Sequence, residues 1–245
     1  MDCTSDPAIC FLFLNQSHQS EPKMVAQTST TYLVSGASRG LGRALVAAYL
    51  AQPNNTVIAA VRDSNSPASK SLQELTKGAS SSLIVLKIDS LVEAEAQQAI
   101  AELKSAHNIT ALDVVIANAG IAKLFPTVEE ARAEDLLEHY RTNVIGVILL
   151  FQAVLPLLRK SAKTPKFVVM GSNAGSIGGM EGVPVPNAAY GPSKAALNWI
   201  TKKIHLENPD IIAFPIHPGF VCLPNNHGQL TVCANDTKSG PDGRR

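Results

Sequence analysis

From Thr31 onward the chain alternates short β-rich runs with longer segments of helical apolar spacing, and this rhythm restricts the fold more than any other feature. The β-rich runs fall at residues 32–35, 56–61, 83–88, 112–117, 167–171 and 211–215. Near-continuous apolar strands joined by helical crossovers require a parallel sheet with helices on both faces. The expected fold class is therefore α/β, a doubly wound parallel sheet in three αβα layers forming one domain. Residues 1–27 read as an irregular extension, with Met24 as an alternative start, and residues 28–220 as the domain. After Phe220 the hydrophobic period stops, and residues 221–245 read as a disordered tail.

Composition narrows the function classes. Hydrophobic residues make up 45% of the 245, enough to build a core. Twenty-one Lys+Arg against 20 Asp+Glu leave +1, which argues against a general electrostatic grip on nucleic acid or anionic lipid. No apolar run approaches the ~20 residues of a membrane helix. The apolar patch at residues 8–14 follows Asp2 and Asp6 rather than a positive start, so it is a poor secretory signal, and the sequon Asn108-Ile109-Thr110 carries no weight. The four cysteines, Cys3, Cys10, Cys222 and Cys233, all lie near the ends. No disulfide framework is expected, and the setting expected is a reducing cytoplasm. Cys222, His227 and Cys233 lack a fourth ligand, so no metal is expected.

The longest helical candidate runs from Glu134 to Lys160. Its stripe of Leu136, Leu137, Tyr140, Val144, Val147, Phe151, Val154 and Leu158 is wider than one sheet face requires. Two explanations stay open: packing against a second copy in a homo-oligomer, or a buried core helix.

The first β-rich run leads straight into Ser35-Gly36-Ala37-Ser38-Arg39-Gly40-Leu41-Gly42, followed by a helical run at residues 43–50. Glycines there permit a tight turn and a close approach to a pyrophosphate, and the following helix N-terminus offers unpaired N–H groups. With no Gly-Lys-Ser/Thr, a P-loop is a poor fit, and strand–turn–helix context points to a dinucleotide in a Rossmann fold. An acidic residue ending the second strand would select a ribose 2′-OH. Here the strand ends Val61-Arg62, and Arg39 stands in the glycine turn. Two guanidinium groups favour a 2′-phosphate, hence NADP(H).

Tyr190-Gly191-Pro192-Ser193-Lys194 sets a tyrosine and a lysine one helical turn apart on one face. An ammonium beside a phenol stabilises the phenolate, allowing the tyrosine to exchange a proton near neutral pH.

These motifs, in this order, resemble the short-chain dehydrogenase/reductase family over residues 31–220. Gly36, Gly40 and Gly42 match its cofactor turn, with Ser35 where threonine is usual, and Ser38, Arg39 and Leu41 within it. Asp89 matches the residue that contacts adenine, Asn118-Ala119-Gly120 the family's Asn-Ala-Gly, and Pro218-Gly219 its Pro-Gly after the sixth strand. Asn143, Ser172, Tyr190 and Lys194 match the catalytic set. The resemblance implies that Tyr190 protonates a small-molecule carbonyl substrate as hydride arrives from the nicotinamide. It implies that Lys194 lowers the tyrosine pKa and holds the nicotinamide ribose, that Ser172 stabilises the developing oxyanion, and that Asn143 positions a proton-relay water. Stretches 56–63, 171–194 and 198–218 further resemble fungal ketoreductases of the norsolorinic acid ketoreductase type, implying reduction of an aryl ketone to a secondary alcohol.

The pattern also breaks. The gap from Ser172 to Tyr190 is long, with 180–187 expected to loop out and Ser176 as an alternative serine. Pro218-Gly219 is followed by Phe220-Val221-Cys222-Leu223 rather than the family's Val-x-Thr segment. The expectation is a chain lacking the last strand and substrate lid, a truncated product. A second function class follows: an impaired relative that binds cofactor or a partner subunit without turnover. Ile121, Leu124, Phe125 and Val183 are the apolar neighbours expected to suit a lipophilic substrate.

Overall fold

The computed structural model describes residues 29–182 and 184–219. Six parallel strands form one sheet: β1 (Thr30–Ser35), β2 (Asn55–Val61), β3 (Ser82–Lys87), β4 (Val114–Ala117), β5 (Lys166–Met170) and β6 (Ile212–Ile216). Their spatial order is β3-β2-β1-β4-β5-β6. Every strand lies on a run expected from the sequence, and the architecture is the doubly wound αβα sheet. The order reverses between β1 and β4, which opens a crevice beyond the carboxyl ends of those strands.

Successive strand residues feed two cores. Val34, Val57, Ala59, Val61 and Ile116 pack with Val46 and Leu50 of α1 (Gly40–Leu50). Leu33, Ile58, Ala60, Val115, Phe167 and Val169 pack on the other face. There they meet α3 (Glu93–Ala106), α5 (Gly146–Leu158) and α6 (Tyr190–Glu207), with a short α2 (Pro67–Lys70) connecting β2 to β3. The two cores explain why the strands carry near-continuous apolar runs rather than alternation. Strand β4 starts two residues later than the sequence run suggests. Leu112 N–H turns to Leu157 O and Asp113 N–H to Thr31 O, while the Asp113 carboxylate accepts from Thr31 N–H at 2.9 Å.

The helix expected from Glu134 to Lys160 is α4 (Ala133–Tyr140), a π-turn (Arg141–Ile145) and α5 in continuous succession. Its apolar stripe divides. Val144, Val147, Phe151, Val154 and Leu158 are buried, whereas Leu136, Leu137 and Tyr140 remain exposed. By length and composition this 26-residue helix could cross a membrane, which the sequence reading did not anticipate; 56% of its apolar window is buried within the domain, and core packing accounts for the composition.

Among the described residues β6 closes one side of the sheet. Ile212, Phe214 and Ile216 alternate along it and stay 40%, 39% and 42% exposed, because α6 covers only the face that carries Ala213. Ile212 N–H donates to Pro165 O, and Ile216 O accepts from Gly171 N–H, so even-numbered residues bond to β5. Pro215, which has no N–H, therefore falls at an outward position.

Candidate active site

Gly36 directly follows β1 with φ +65°, in the left-handed region open to glycine. A Cβ on Gly42 would sit 2.3 Å from Gly36 O and 2.6 Å from the Asn118 amide, so the helix can approach the turn only with glycine there. Arg39, the residue before α1, provides no side-chain cap, and the first turn of α1 contains no acidic residue. The amides of that turn are thus left to an anionic ligand.

The groove in front of this turn has a volume of about 550 Å³. Ser38, Arg39, Gly40, Leu41 and Gly42 form one wall, Arg62 stands at one end, and Asp89, Asn118, Ala119 and Gly120 complete it. Both guanidinium groups are exposed to the groove. Ser35 does not line it: this side chain is buried, and its hydroxyl accepts from the amides of Asn118 and Ala119, both at 3.0 Å. The Asn118 side chain donates to Ser35 O at 2.9 Å, so the two residues brace the turn from behind. Ile88, Ser90, Leu91, Lys123, Glu138 and Thr142 also line the groove, and the sequence reading missed them because no glycine or charge pattern marks them. Asp89 is itself held, its N–H donating to Glu95 Oε2 at 2.7 Å.

A second hollow continues from the first through Leu41, Asn118, Gly120 and Ile121, and reaches Met170, Tyr190, Lys194 and Pro218. A third, of about 270 Å³, shares Gly171, Tyr190 and Pro218 with it and is walled by Phe125, Ser172, Asn173, Ala174, Val185, Asn187, His217 and Gly219. The three form one path from Arg62 to Tyr190. Of the apolar neighbours expected at the substrate, Phe125 lines the third hollow and Ile121 the second. Leu124 is 43% exposed and lines neither, and Val183 lies outside the described residues. The Cys222, His227 and Cys233 set also lies outside them.

Tyr190 opens α6 at the junction of the second and third hollows. Burial raises its phenol pKa above the usual value, and hydrogen bonding with Ser172 pulls it back down in part. Ser172 follows β5 and caps a short 3-10 turn (Asn173–Gly175), accepting from Ala174 N–H at 3.2 Å. Ser176, the alternative serine, is exposed, accepts from Gly179 N–H and lines none of these hollows.

Lys194 is 5% exposed, and its ammonium donates to Met170 O at 2.7 Å. Burial pushes its pKa down to about 8. The ammonium lies 5.6 Å from the Tyr190 ring centroid, and it is the serine that lowers the phenol pKa in this arrangement.

Asn143 sits in the π-turn, fully buried. Its Oδ1 accepts from Ile121 N–H at 2.8 Å, while Nδ2 donates to Ile121 O and to Ser193 Oγ, each at 3.0 Å. Ser193 in turn donates to Tyr190 O at 2.7 Å. The side-chain amide is thus committed to protein partners, joining the β4 loop to the first turn of α6. Ser193 was not singled out from the sequence.

This sheet, with a nucleotide-sized groove at its switch point leading to Tyr190 between Lys194 and Ser172, defines a dinucleotide-dependent oxidoreductase class. A short chain dehydrogenase profile matches residues 30–229, and the chain belongs to the short-chain dehydrogenase/reductase family. It is 46% identical over 194 residues to the norsolorinic acid ketoreductase of Dothistroma septosporum, covering 78% of this chain and 72% of that protein. It is 40% identical over 193 residues to the norsolorinic acid ketoreductase of Aspergillus parasiticus, covering 78% and 71%. Among solved structures it resembles NADPH-bound carbonyl reductase from chicken fatty liver, with a TM-score of 0.71 and 30% identity over 79% of this chain and 80% of that one.

Proposed function

We propose that this chain is an NADPH-dependent ketoreductase that converts an aromatic ketone to a secondary alcohol. The observation that carries the reading is the continuous path from the paired Arg39 and Arg62, past the glycine turn, to Tyr190 and Ser172. The nucleotide supplies the hydride when bound. Exposed guanidinium groups at the far end suit a 2′-phosphate, whereas no acidic residue ends β2 to favour a free ribose hydroxyl.

Tyr190 and Ser172 share the wall of the third hollow, where a ketone oxygen can receive hydrogen bonds from both hydroxyls. A phenol held above its usual pKa is protonated across the neutral range and so serves as the general acid. Lys194, buried behind Tyr190, carries the charge that a nicotinamide ribose would meet. Asn143 holds the β4 loop and, through Ser193, the start of α6 in register. Phe125 and Val185 offer a flat apolar lining for an aromatic ring, with Asn173 and Asn187 as polar partners. Tyr190, which lines both hollows, meets Ser172 in the third and Lys194 in the second, and this meeting argues against a role in binding alone.

The test is nucleotide oxidation by the full chain with acetophenone and with hydroxylated aryl ketones, using NADPH and then NADH. Turnover with NADPH that a Tyr190→Phe variant loses while still binding nucleotide is the expected result. Nucleotide binding without turnover of any ketone would instead mark a binding protein.

A further inference from the structure

His139 is fully buried on α4, one turn before Asn143, and the catalytic set does not include it. Its Nδ1 lies 2.7 Å from Asp135 O, and its Nε2 lies 3.2 Å from Lys123 N. A carbonyl can only accept and an amide can only donate, so the ring is the neutral tautomer with its proton on Nδ1. The same loop that Asn143 grips at Ile121 is therefore gripped two residues on, at Lys123, by His139. Glu138 adds an ion pair to the Lys123 ammonium.

The ring also touches the reacting group's own side chain. His139 and Tyr190 meet edge to face, with centroids 6.4 Å apart and planes at 71°. Phe125, from the same loop, meets Tyr190 at 6.3 Å and 66°. Beyond Phe125, Pro126 O accepts from Ala188 N–H, just before Tyr190. The tyrosine ring is thus flanked by one aromatic ring from α4 and one from a loop that α4 fixes in place.

We infer that His139 is a positioning residue for Tyr190, acting through its ring contact and through its hold on the loop at Lys123. This rests on the ketoreductase reading for its consequence in catalysis, but not for its structural content. Losing the Nε2 acceptor frees the loop, Phe125 shifts, and the phenol is left less enclosed and less well aimed.

The experiment compares the parent chain with His139→Phe, which keeps a ring but no acceptor, and His139→Gln, which restores an acceptor near the Nε2 position. Five quantities are read: amide exchange at Lys123, the Tyr190 titration by 13Cζ-tyrosine NMR assigned with Tyr190→Phe, NADPH affinity, and kcat and KM for an aryl ketone. For His139→Phe we expect exchange at Lys123 and kcat to change by about ten-fold, the one faster and the other slower. The Tyr190 midpoint should move down towards the ordinary phenol value, with NADPH affinity within about two-fold of the parent. His139→Gln should recover most of each change.

Unaltered exchange and titration in His139→Phe would overturn the inference, as would a glutamine variant that falls as far as the phenylalanine one. If His139→Phe does not fold, the glutamine variant decides, since protection retained at Lys123 supports the role and protection lost overturns it. If the parent chain reduces no ketone, the reductase reading fails, and exchange and titration still settle the positioning role.

Discussion

The Lys194 ammonium and the Met170 carbonyl face each other at 2.7 Å, at the end of β5 and in the lining of the second hollow. The lysine is almost without solvent, and that burial brings its pKa from 10.5 down to about 8. The folded state therefore holds this proton less tightly than the unfolded chain. Stability rises with pH between about 8 and 10.5, and the charge is a full liability below that window.

Replacing Lys194 by Met should then stabilise the nucleotide-free protein at pH 7, by roughly 1–3 kcal/mol less whatever the Met170 carbonyl loses. The gain should fade as the pH is raised through the window, while turnover is lost at every pH. Thermal unfolding of both proteins from pH 6 to 10.5 reads the difference. A variant that is less stable than the parent at pH 7 and equally stable at pH 10 would contradict the assignment.

Ser172 is the group that draws the Tyr190 phenol down against the upward effect of burial. Ser172→Ala should therefore move the phenol titration to higher pH. It should also reduce kcat by about 10²–10³, the usual cost of one oxyanion donor. NADPH affinity should hold, because the serine lines only the hollow beyond the nucleotide path.

Arg62 stands where an acidic residue would select NADH. Arg62→Asp should weaken NADPH binding by about ten-fold or more and narrow the preference over NADH, since it replaces a phosphate partner with a like charge. Fluorescence titration with both nucleotides measures this. Equal loss for the two would move the arginine's role away from the 2′-phosphate.

Glu95 fixes Asp89 through its amide and pairs with Lys87 at 2.5 Å. Glu95→Ala should weaken nucleotide binding by about three- to ten-fold without touching kcat, whereas Glu95→Gln keeps an acceptor for the Asp89 amide and should be milder. Direct binding measurements on the two variants separate the backbone contact from the charge.

Much of the frame was legible because each device is local. The glycine turn, the Arg62 at a strand end and the Tyr190–Lys194 spacing all lie within a few consecutive residues, and apolar runs located the strands. What was hidden is long-range or emerges from packing. Ser35 had the composition of a ligand contact, yet it is spent on the amides of Asn118 and Ala119, more than eighty residues away. The π-turn that carries Asn143 leaves no mark on apolar periodicity. His139 reads as an ordinary helical histidine until the loop at Lys123 folds over it. The tyrosine's pKa direction, too, depends on how far Tyr190 is enclosed and where the Lys194 ammonium points, and neither is a property of spacing.

Among the described residues, strand β6 presents an apolar row and a backbone side that pairs with no other strand, a combination that invites sheet-to-sheet stacking between molecules. The proline in its middle works against this. With Pro215 at an outward position, the donor row is interrupted, and an incoming strand would find an acceptor without its neighbouring amide. Substituting Pro215 by Val would complete that row and convert a guarded margin into a template for fibre growth, visible as thioflavin-positive aggregates in solutions where the parent stays clear.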